Sequence, residues 1–308
     1  MPPFIRVPAD APLRLLTVHA HPDDEASKGA STVAQLHSEG VHCVLVCCTG
    51  GEAGDVLNPA MDVPEVHADL PGVREAELAR AAEIVGYDEV VMLGYRDSGM
   101  KDSEHNARAD AFANADQDEA VGRLVAIIRR VRPQVVVTYP DARGEYDHPD
   151  HVQVHDISVP AFHAAGDPGR YPEAGPAWQP SKLYYTMWSR ARIAGLHEKF
   201  RELGIESPYD EWWFKRPSRD HLITTQVPIG EHWDVRGDAL RAHATQIDPA
   251  SPFWFGLPDD VARTVHPFDD YRLAACYVDG RPVDSSTYLP SGGLEEDLFA
   301  GLRAEVSA

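Results

Sequence analysis

HAHPDDE (19–25) places two histidines and three acidic side chains in seven positions, directly after the apolar run LRLLTV. A second cluster of the same kind, PDARGEYDHPDH (140–151), follows another apolar run, QVVVTY (134–139). Neutral imidazoles with one carboxylate form the donor set of a catalytic divalent-metal site, which takes about three protein ligands and keeps a position open for water. His21, Asp24 and His151 would supply that set if the two clusters converge. His155 lies four residues beyond His151 and competes for the same helix face, without the intervening glutamate of the metalloprotease motif. His19 shares a strand face with His21 and reads as buried, hydrogen-bonded support. Either cluster alone is as readily a solvated turn or helix cap; their recurrence at two strand ends favours chemistry.

The elements that position them follow from hydrophobic periodicity. LRLLTVHAH (13–21), VHCVLVCCT (41–49), EVVMLGY (89–95) and QVVVTY (134–139) read as buried parallel strands. Between them lie the helical patterns SKGASTVAQLHSEG (27–40), GVREAELARAAEIVG (72–86) and EAVGRLVAIIRRVRP (119–133). This alternation predicts an α/β fold with a Rossmann-like, doubly wound, mostly parallel sheet, whose ligands sit beyond the carboxyl ends of the strands. Further on, HPDHVQVHDISVPAFHAAG (148–166) and RIAGLHEKFRELG (192–204) suggest helices and KLYYTMW (182–188) a strand, before a less regular C-terminal layer rich in aromatics and prolines. The polar stretch 101–118 reads as a long surface loop or lid. The division expected is a flexible N-terminus over 1–12, a metal-binding catalytic core over 13–170, and a portion over 171–308 that completes the sheet and substrate pocket within one continuous domain.

The balance of 49 acidic to 28 basic side chains gives a formal charge of -21, which disfavours nucleic acid and anionic membrane surfaces as partners. No signal peptide or spanning segment is evident, so a cytoplasmic enzyme acting on a small molecule is expected, with its oligomeric state open. Cys43, Cys47, Cys48 and Cys276 form no disulfide framework and read as buried thiols. TGGEAGD (49–55) matches a dinucleotide fingerprint only in part and follows the wrong strand; GxSxG, Walker A and zinc-ribbon patterns are absent. Two histidines and a carboxylate also describe the non-haem iron oxygenase triad, but the parallel alternation contradicts the double-sheet folds that usually carry it.

HAHPDDE paired with HPDH resembles the LmbE/PIG-L-like family of metal-dependent de-N-acetylases, which includes the N-acetylglucosaminyl-phosphatidylinositol deacetylases and the mycothiol enzymes. SKGA, TGGEAGDVLNPAMD, RDSGM and HATQIDP (243–249) are similar to the mycothiol branch. The resemblance implies one divalent metal ion, zinc by family habit with ferrous iron compatible, on His21, Asp24 and His151. Asp23 matches the general base, pointed away from Asp24 by the turn at Pro22, and Tyr146 the oxyanion-side tyrosine. His148 would be the general acid, kept cationic by Asp150, with Glu25 as support. Arg74 and Asp97 match residues that grip sugar and inositol hydroxyls; Lys28 would meet the thiol-conjugate end and His243 would border the site. The function implied is hydrolysis of the amide on the glucosamine nitrogen of mycothiol S-conjugates, to which Lys28 and NPAMD point. The alternative is deacetylation of N-acetyl-glucosaminyl-inositol or another N-acetyl sugar, including by a biosynthetic paralogue. Where relatives carry an asparagine and two glycines before the tyrosine, PDARGEYDHPDH is bulkier and longer by one residue, with Asp147 placed to raise the pKa of His148 or to narrow the substrate range.

Overall fold

An apolar strand covered by helices on both faces has no solvent side, and β1 (Arg14–His19) and β2 (His42–Thr49) are buried beyond their first residues. The computed structural model describes residues 12–144, 146–278, 281–283 and 294–303; the flexible N-terminus expected over 1–12 lies, Pro12 apart, outside the described residues. With β3 (Glu89–Tyr95), β4 (Val135–Thr138) and β5 (Lys182–Met187), the first two strands form a parallel layer in the order β3-β2-β1-β4-β5. The chain steps outward from β1 to β3 and then returns to the other side of β1 for β4. The sheet's switch point therefore falls between β1 and β4, which pair from Leu15↔Val135 to Thr17↔Val137. Both histidine and acid clusters follow these two strands, so they open at the crevice where such sheets bind ligands.

Alternation along β1 sends Leu16 and Val18 to one face and Leu15 to the other. The first face packs on α5 (Gln117–Val131) and α6 (Pro149–Ala164) through Leu124, Ile128 and Phe162. On the second face lie α2 (Ala30–Ser38), α4 (Leu70–Val85) and α9 (Trp233–Ala242), with Val33, Ala81 and Leu240 in the core. Local signals explain the helix limits: Asp69 caps α4 by accepting from the Gly72 amide at 3.2 Å, and Gly86 ends it in the left-handed region. The four cysteines are free and buried. No helix among the described residues is long and apolar enough to cross a membrane.

The less regular C-terminal layer consists of α7 (Arg190–Glu202), the short helices α8 (Glu211–Lys215), α10 (Pro252–Phe255) and α11 (Asp259–Val265), and antiparallel strands. β7 (Phe268–Val278) pairs with β5, β6 (Thr225–Pro228) and β8 (Arg281–Val283), so the sheet runs unbroken across residues 170 and 171. Periodicity does not disclose β7, because Asp269 and Asp270 interrupt its apolar pattern. Both are buried: Asp269 accepts from the Thr32 hydroxyl at 2.9 Å and pairs with Arg236, and Asp270 pairs with His266 at 2.8 Å. The stretch 101–118 is no lid. Ala111 bridges to Arg96, and Phe112 is fully buried against Tyr95.

The helix expected over 27–40 is broken into α1 (Asp24–Ser27) and α2 by Gly29, which takes φ +100°. A Cβ there would lie 2.6 Å from the Tyr271 hydroxyl oxygen, whereas at Gly40 (φ +83°) it would meet nothing within 4 Å. Gly40→Ala is expected to cost only the left-handed backbone term, about 1–2 kcal/mol in urea unfolding. Gly29→Ala should cost about 1–3 kcal/mol more through overpacking, and Tyr271→Phe in the same chain should recover part of that excess. Equal losses at the two glycines would rule out the proposed contact.

Candidate metal centre

β1 ends at His19 and the chain turns sharply through Pro22 and Asp23 into α1. Asp23 adopts φ +113°, an unfavourable region for a residue with a Cβ. Several bonds hold it there. Its amide donates to Glu25 Oε2 at 2.9 Å, its carbonyl accepts from the Ala26 and Ser27 amides at 3.2 Å, and the Pro22 carbonyl accepts from Arg74 at 2.6 Å. The turn makes consecutive carboxylates diverge: Asp24 faces the histidines, while Asp23 meets the Arg74 guanidinium at 3.1 Å.

Asp24 Oδ2 lies 3.5 Å from His21 Nδ1 and 3.4 Å from His151 Nε2, so the two clusters, far apart in the chain, meet in space. His21, Asp24 and His151 thus present one donor atom each within 4.8 Å of one another. Burial brings the pKa of His151 to about 4, leaving a neutral ring with a free lone pair at neutral pH. Burial opposes charge on His21, yet hydrogen bonds to Asp150, Asp24 and Asp97 outweigh it and hold its pKa well above the usual imidazole range. Asp24 also overcomes burial; Lys28 and His151 keep it well below the ordinary carboxylate range. A buried ring among three carboxylates draws positive charge, and a divalent cation fits that demand as well as the donor types do.

His21, Asp97 and His148 also fall within the same distance of one another. Both carboxylates are engaged on both oxygens, Asp97 by the Gly99 amide at 2.8 Å and the Ala53 amide at 3.2 Å, Asp24 by the His21 amide at 3.1 Å and by Lys28, so access to the cleft separates the two sets. Asp24 and His151 line the large cleft, and Asp97 and His148 do not. The first set is therefore the one open to a substrate.

Around these donors the structure revises several expectations. Asp150 is fully buried and directs its carboxylate to His21 Nε2 at 3.1 Å, not to His148; it accepts from the Ser98 amide at 2.9 Å and the Ser98 hydroxyl. This fixes the His21 ring with Nδ1 towards Asp24, the usual carboxylate–histidine arrangement behind a metal. Among the described residues, His148 receives the Asp150 backbone amide on Nδ1 at 3.3 Å and no carboxylate, and burial followed by the charge of His21 lowers its pKa to about 4 instead of raising it. Asp147 turns away to accept from the Gly144 amide at 2.6 Å. Arg74, expected to grip substrate, is buried against the Gly51 and Pro22 carbonyls and Asp23. Asp97 sits behind His21, 3.5 Å from Nε2, instead of in the cleft. Lys28 lines the cleft, but its ammonium is bonded to Asp24 Oδ1 and, at 3.2 Å, to Ser27 Oγ. His243 is completely buried and donates to Glu25 Oε1 at 2.5 Å, two links behind Asp23. Burial and the neighbouring Asp24 raise the Asp23 pKa to about 6 against the pull of Arg74.

Two supporting residues carry no sequence signal. Ser98 holds Asp150, and Tyr139 stacks on His151 with ring centroids 4.8 Å apart while its hydroxyl meets His19 Nδ1 at 3.0 Å. His155 turns to the Tyr139 carbonyl at 3.0 Å and is not a donor to the centre. HATQIDP and the NPAMD loop meet here: Thr245 donates to Glu77 from amide and hydroxyl at 2.8 and 2.7 Å, and Asn58 donates to the Ala244 carbonyl at 2.8 Å. The cleft above has a volume of about 620 Å³ and is lined by Asp23, Asp24, Tyr146 and His151 together with Trp188, Trp212 and Trp213. Tyr146 is half exposed, its ring 5.1 Å from His151.

The family model described as GlcNAc-PI de-N-acetylase (PIG-L) matches residues 16–162. The chain is 42% identical over 300 residues to the mycothiol S-conjugate amidase of Streptomyces coelicolor, covering 94% of this chain and 98% of that protein. It is also 42% identical over 301 residues to the 1D-myo-inositol 2-acetamido-2-deoxy-alpha-D-glucopyranoside deacetylase of Geodermatophilus obscurus, again covering 94% of this chain and 98% of the relative. The structure of N,N'-diacetylchitobiose deacetylase from Pyrococcus horikoshii superposes with a TM-score of 0.58 over 84% of this chain and 83% of that one; at 17% identity the likeness is one of fold. With relatives this similar along nearly its whole length, the chain belongs to the GlcNAc-PI de-N-acetylase (PIG-L) family.

Proposed function

We propose that this protein is a metal-dependent amidohydrolase that cleaves the amide on the glucosamine nitrogen of mycothiol S-conjugates. The observation that carries the reading is a three-donor centre whose Asp24 and His151 line a cleft of about 620 Å³ that Trp188, Trp212 and Trp213 also line. An acetyl group needs no such space, whereas a cysteinyl amide bearing a thiol adduct does. The 42% identity to an enzyme named mycothiol S-conjugate amidase supports it. The equal identity to an inositol-glucosaminide deacetylase keeps N-acetyl-glucosaminyl-inositol as the second substrate to test.

His21, Asp24 and His151 would hold the ion, zinc by choice of ligands with ferrous iron also accommodated. When bound, it supplies Lewis-acid charge to the carbonyl and makes water more acidic. Asp23, next to the donors and facing the cleft, takes the proton from the attacking water. Arg74 sets its orientation, and the Glu25–His243 pair fixes its backbone. Hydrolysis breaks the amide C–N bond and forms a C–O bond, and the proton held at Asp23 passes to the departing amine. Tyr146 offers its hydroxyl to the carbonyl oxygen at the cleft mouth. With the Asp150 carboxylate committed to His21, His148 acts in this scheme as a neutral hydrogen-bonding group instead of a cationic acid. The substrate is a small molecule, the charge of -21 disfavours nucleic acid as a partner, and the cytoplasm is the proposed setting.

In a two-substrate assay of metal-loaded protein, the bimane conjugate of mycothiol should be cleaved faster than N-acetyl-glucosaminyl-inositol is deacetylated; the reverse order transfers the assignment to the deacetylase. Asp23→Asn should lower kcat about 10²–10⁴-fold with bound metal unchanged, and unaltered turnover would remove Asp23 from the mechanism. Chelation should abolish activity and added zinc restore it. Asp150→Asn should weaken zinc binding about 10–100-fold, while His155→Ala leaves it as in the wild type, as measured by competition with a chromophoric chelator.

A further inference from the structure

Adjoining the cleft is a second cavity of about 400 Å³ among α7, α9, α10 and α11, sharing Trp188, Phe253 and Trp254 with the first. Arg192, in the first turn of α7, opens into it with its guanidinium 5.0 Å from the Trp188 ring centroid. In a chain with 49 acidic and 28 basic side chains a partner acid would be easy to supply. Among the described residues the Arg192 guanidinium nonetheless has no hydrogen bond and no ion pair.

The surrounding acids are already committed. Asp269 serves Arg236 and Thr32, Asp270 serves His266 and Gln226, Asp234 pairs with Arg263, and Asp238 pairs with Arg241. Asp259, also on the lining, is exposed at the rim. Arg236 brings a second guanidinium into the same cavity, and its Nε is buried without a partner. Burial first, then the charge of Arg236, brings the Arg192 pKa down to about 10, as two like charges in a poorly hydrated space require. Such a pair is stabilised by one anion shared between the two forks. Beside the paired Asp234, Asp238, Arg241 and His266, the walls carry an aromatic face: Trp188 and Phe253 stack with centroids 5.9 Å apart and planes inclined by 12°, next to Leu196 and Leu257.

We propose that this cavity is a binding site for a small aromatic carboxylate, its carboxylate bridging Arg192 and Arg236 and its ring packed on Trp188 and Phe253. The site is separate from the metal centre and does not depend on the assignment of amide hydrolysis. Its volume accommodates a single-ring acid, and the two guanidiniums beside an aromatic wall match a carboxylate and its ring.

Titration of the metal-loaded full chain with benzoate, followed by tryptophan fluorescence, tests this. Saturable quenching is expected, with benzamide at least about tenfold weaker because it lacks the charge. Arg192→Met should weaken benzoate at least about tenfold and leave the hydrolytic rate unchanged. Equal affinity for benzamide, or benzoate binding that survives Arg192→Met, would overturn the proposal; the latter with inhibition of hydrolysis would place benzoate on the metal. Should Arg192→Met not fold, wild-type crystals soaked with 4-bromobenzoate decide the question instead. Bromine anomalous density between Arg192 and Trp188 supports the site, and density only at the metal centre, or none, contradicts it.

Discussion

Burying several carboxylates in one place is the constraint on which this structure turns. Asp24, Asp97 and Asp150 gather around His21, the partly exposed Asp23 lies next to Asp24, and Glu25 lies just behind Asp23. Taken out of water, such a group is tolerable only with matched positive charge and hydrogen bonds. The chain supplies part of that match itself: Lys28 on Asp24, Arg74 on Asp23, His243 on Glu25, backbone amides on Asp97, and Ser98 on Asp150. What is left at His21, Asp24 and His151 is a place that favours a divalent cation.

The fold serves this arrangement. Because β1 and β4 flank the switch point, the two turns that follow them meet without a long connection. The left-handed backbone at Asp23 separates two adjacent carboxylates, so that Asp24 faces the histidines while Asp23 faces Arg74. That conformation is held from below by Glu25 and from the side by Arg74, which reaches across from α4. Gly51, at φ +67°, lets the loop after β2 approach the Arg74 guanidinium, since a Cβ there would lie 2.3 Å from its central carbon. Arg74 and Asp97, which resemble sugar-gripping positions, lie in this structure against Asp23 and His21.

Much of this was legible in the sequence, and the limits have physical causes. The apolar runs of β1, β2 and β4 disclosed a parallel layer because strands buried on both faces leave little else to read. The pairing of HAHPDDE with HPDH brought out the donors because both clusters follow strands of one sheet. β7 stayed hidden since its buried Asp269 is matched by Arg236 and Thr32 from distant segments and Asp270 by His266, pairings that hydrophobic periodicity does not register. For the same reason Asp150 reads as a neighbour of His148, two residues away, although its carboxylate points to His21, 129 positions distant. Ser98 and Tyr139 have residue types too ordinary to stand out, and only their contacts give them a role.

The central claim is that His21, Asp24 and His151 form the cation site. Anomalous diffraction at the zinc edge from crystals of the zinc-loaded protein tests it most directly. A single strong peak in contact with these three side chains, with Asp97 and His148 left outside, is the predicted result. A peak between His21, Asp97 and His148, or none at the strand ends, would contradict it.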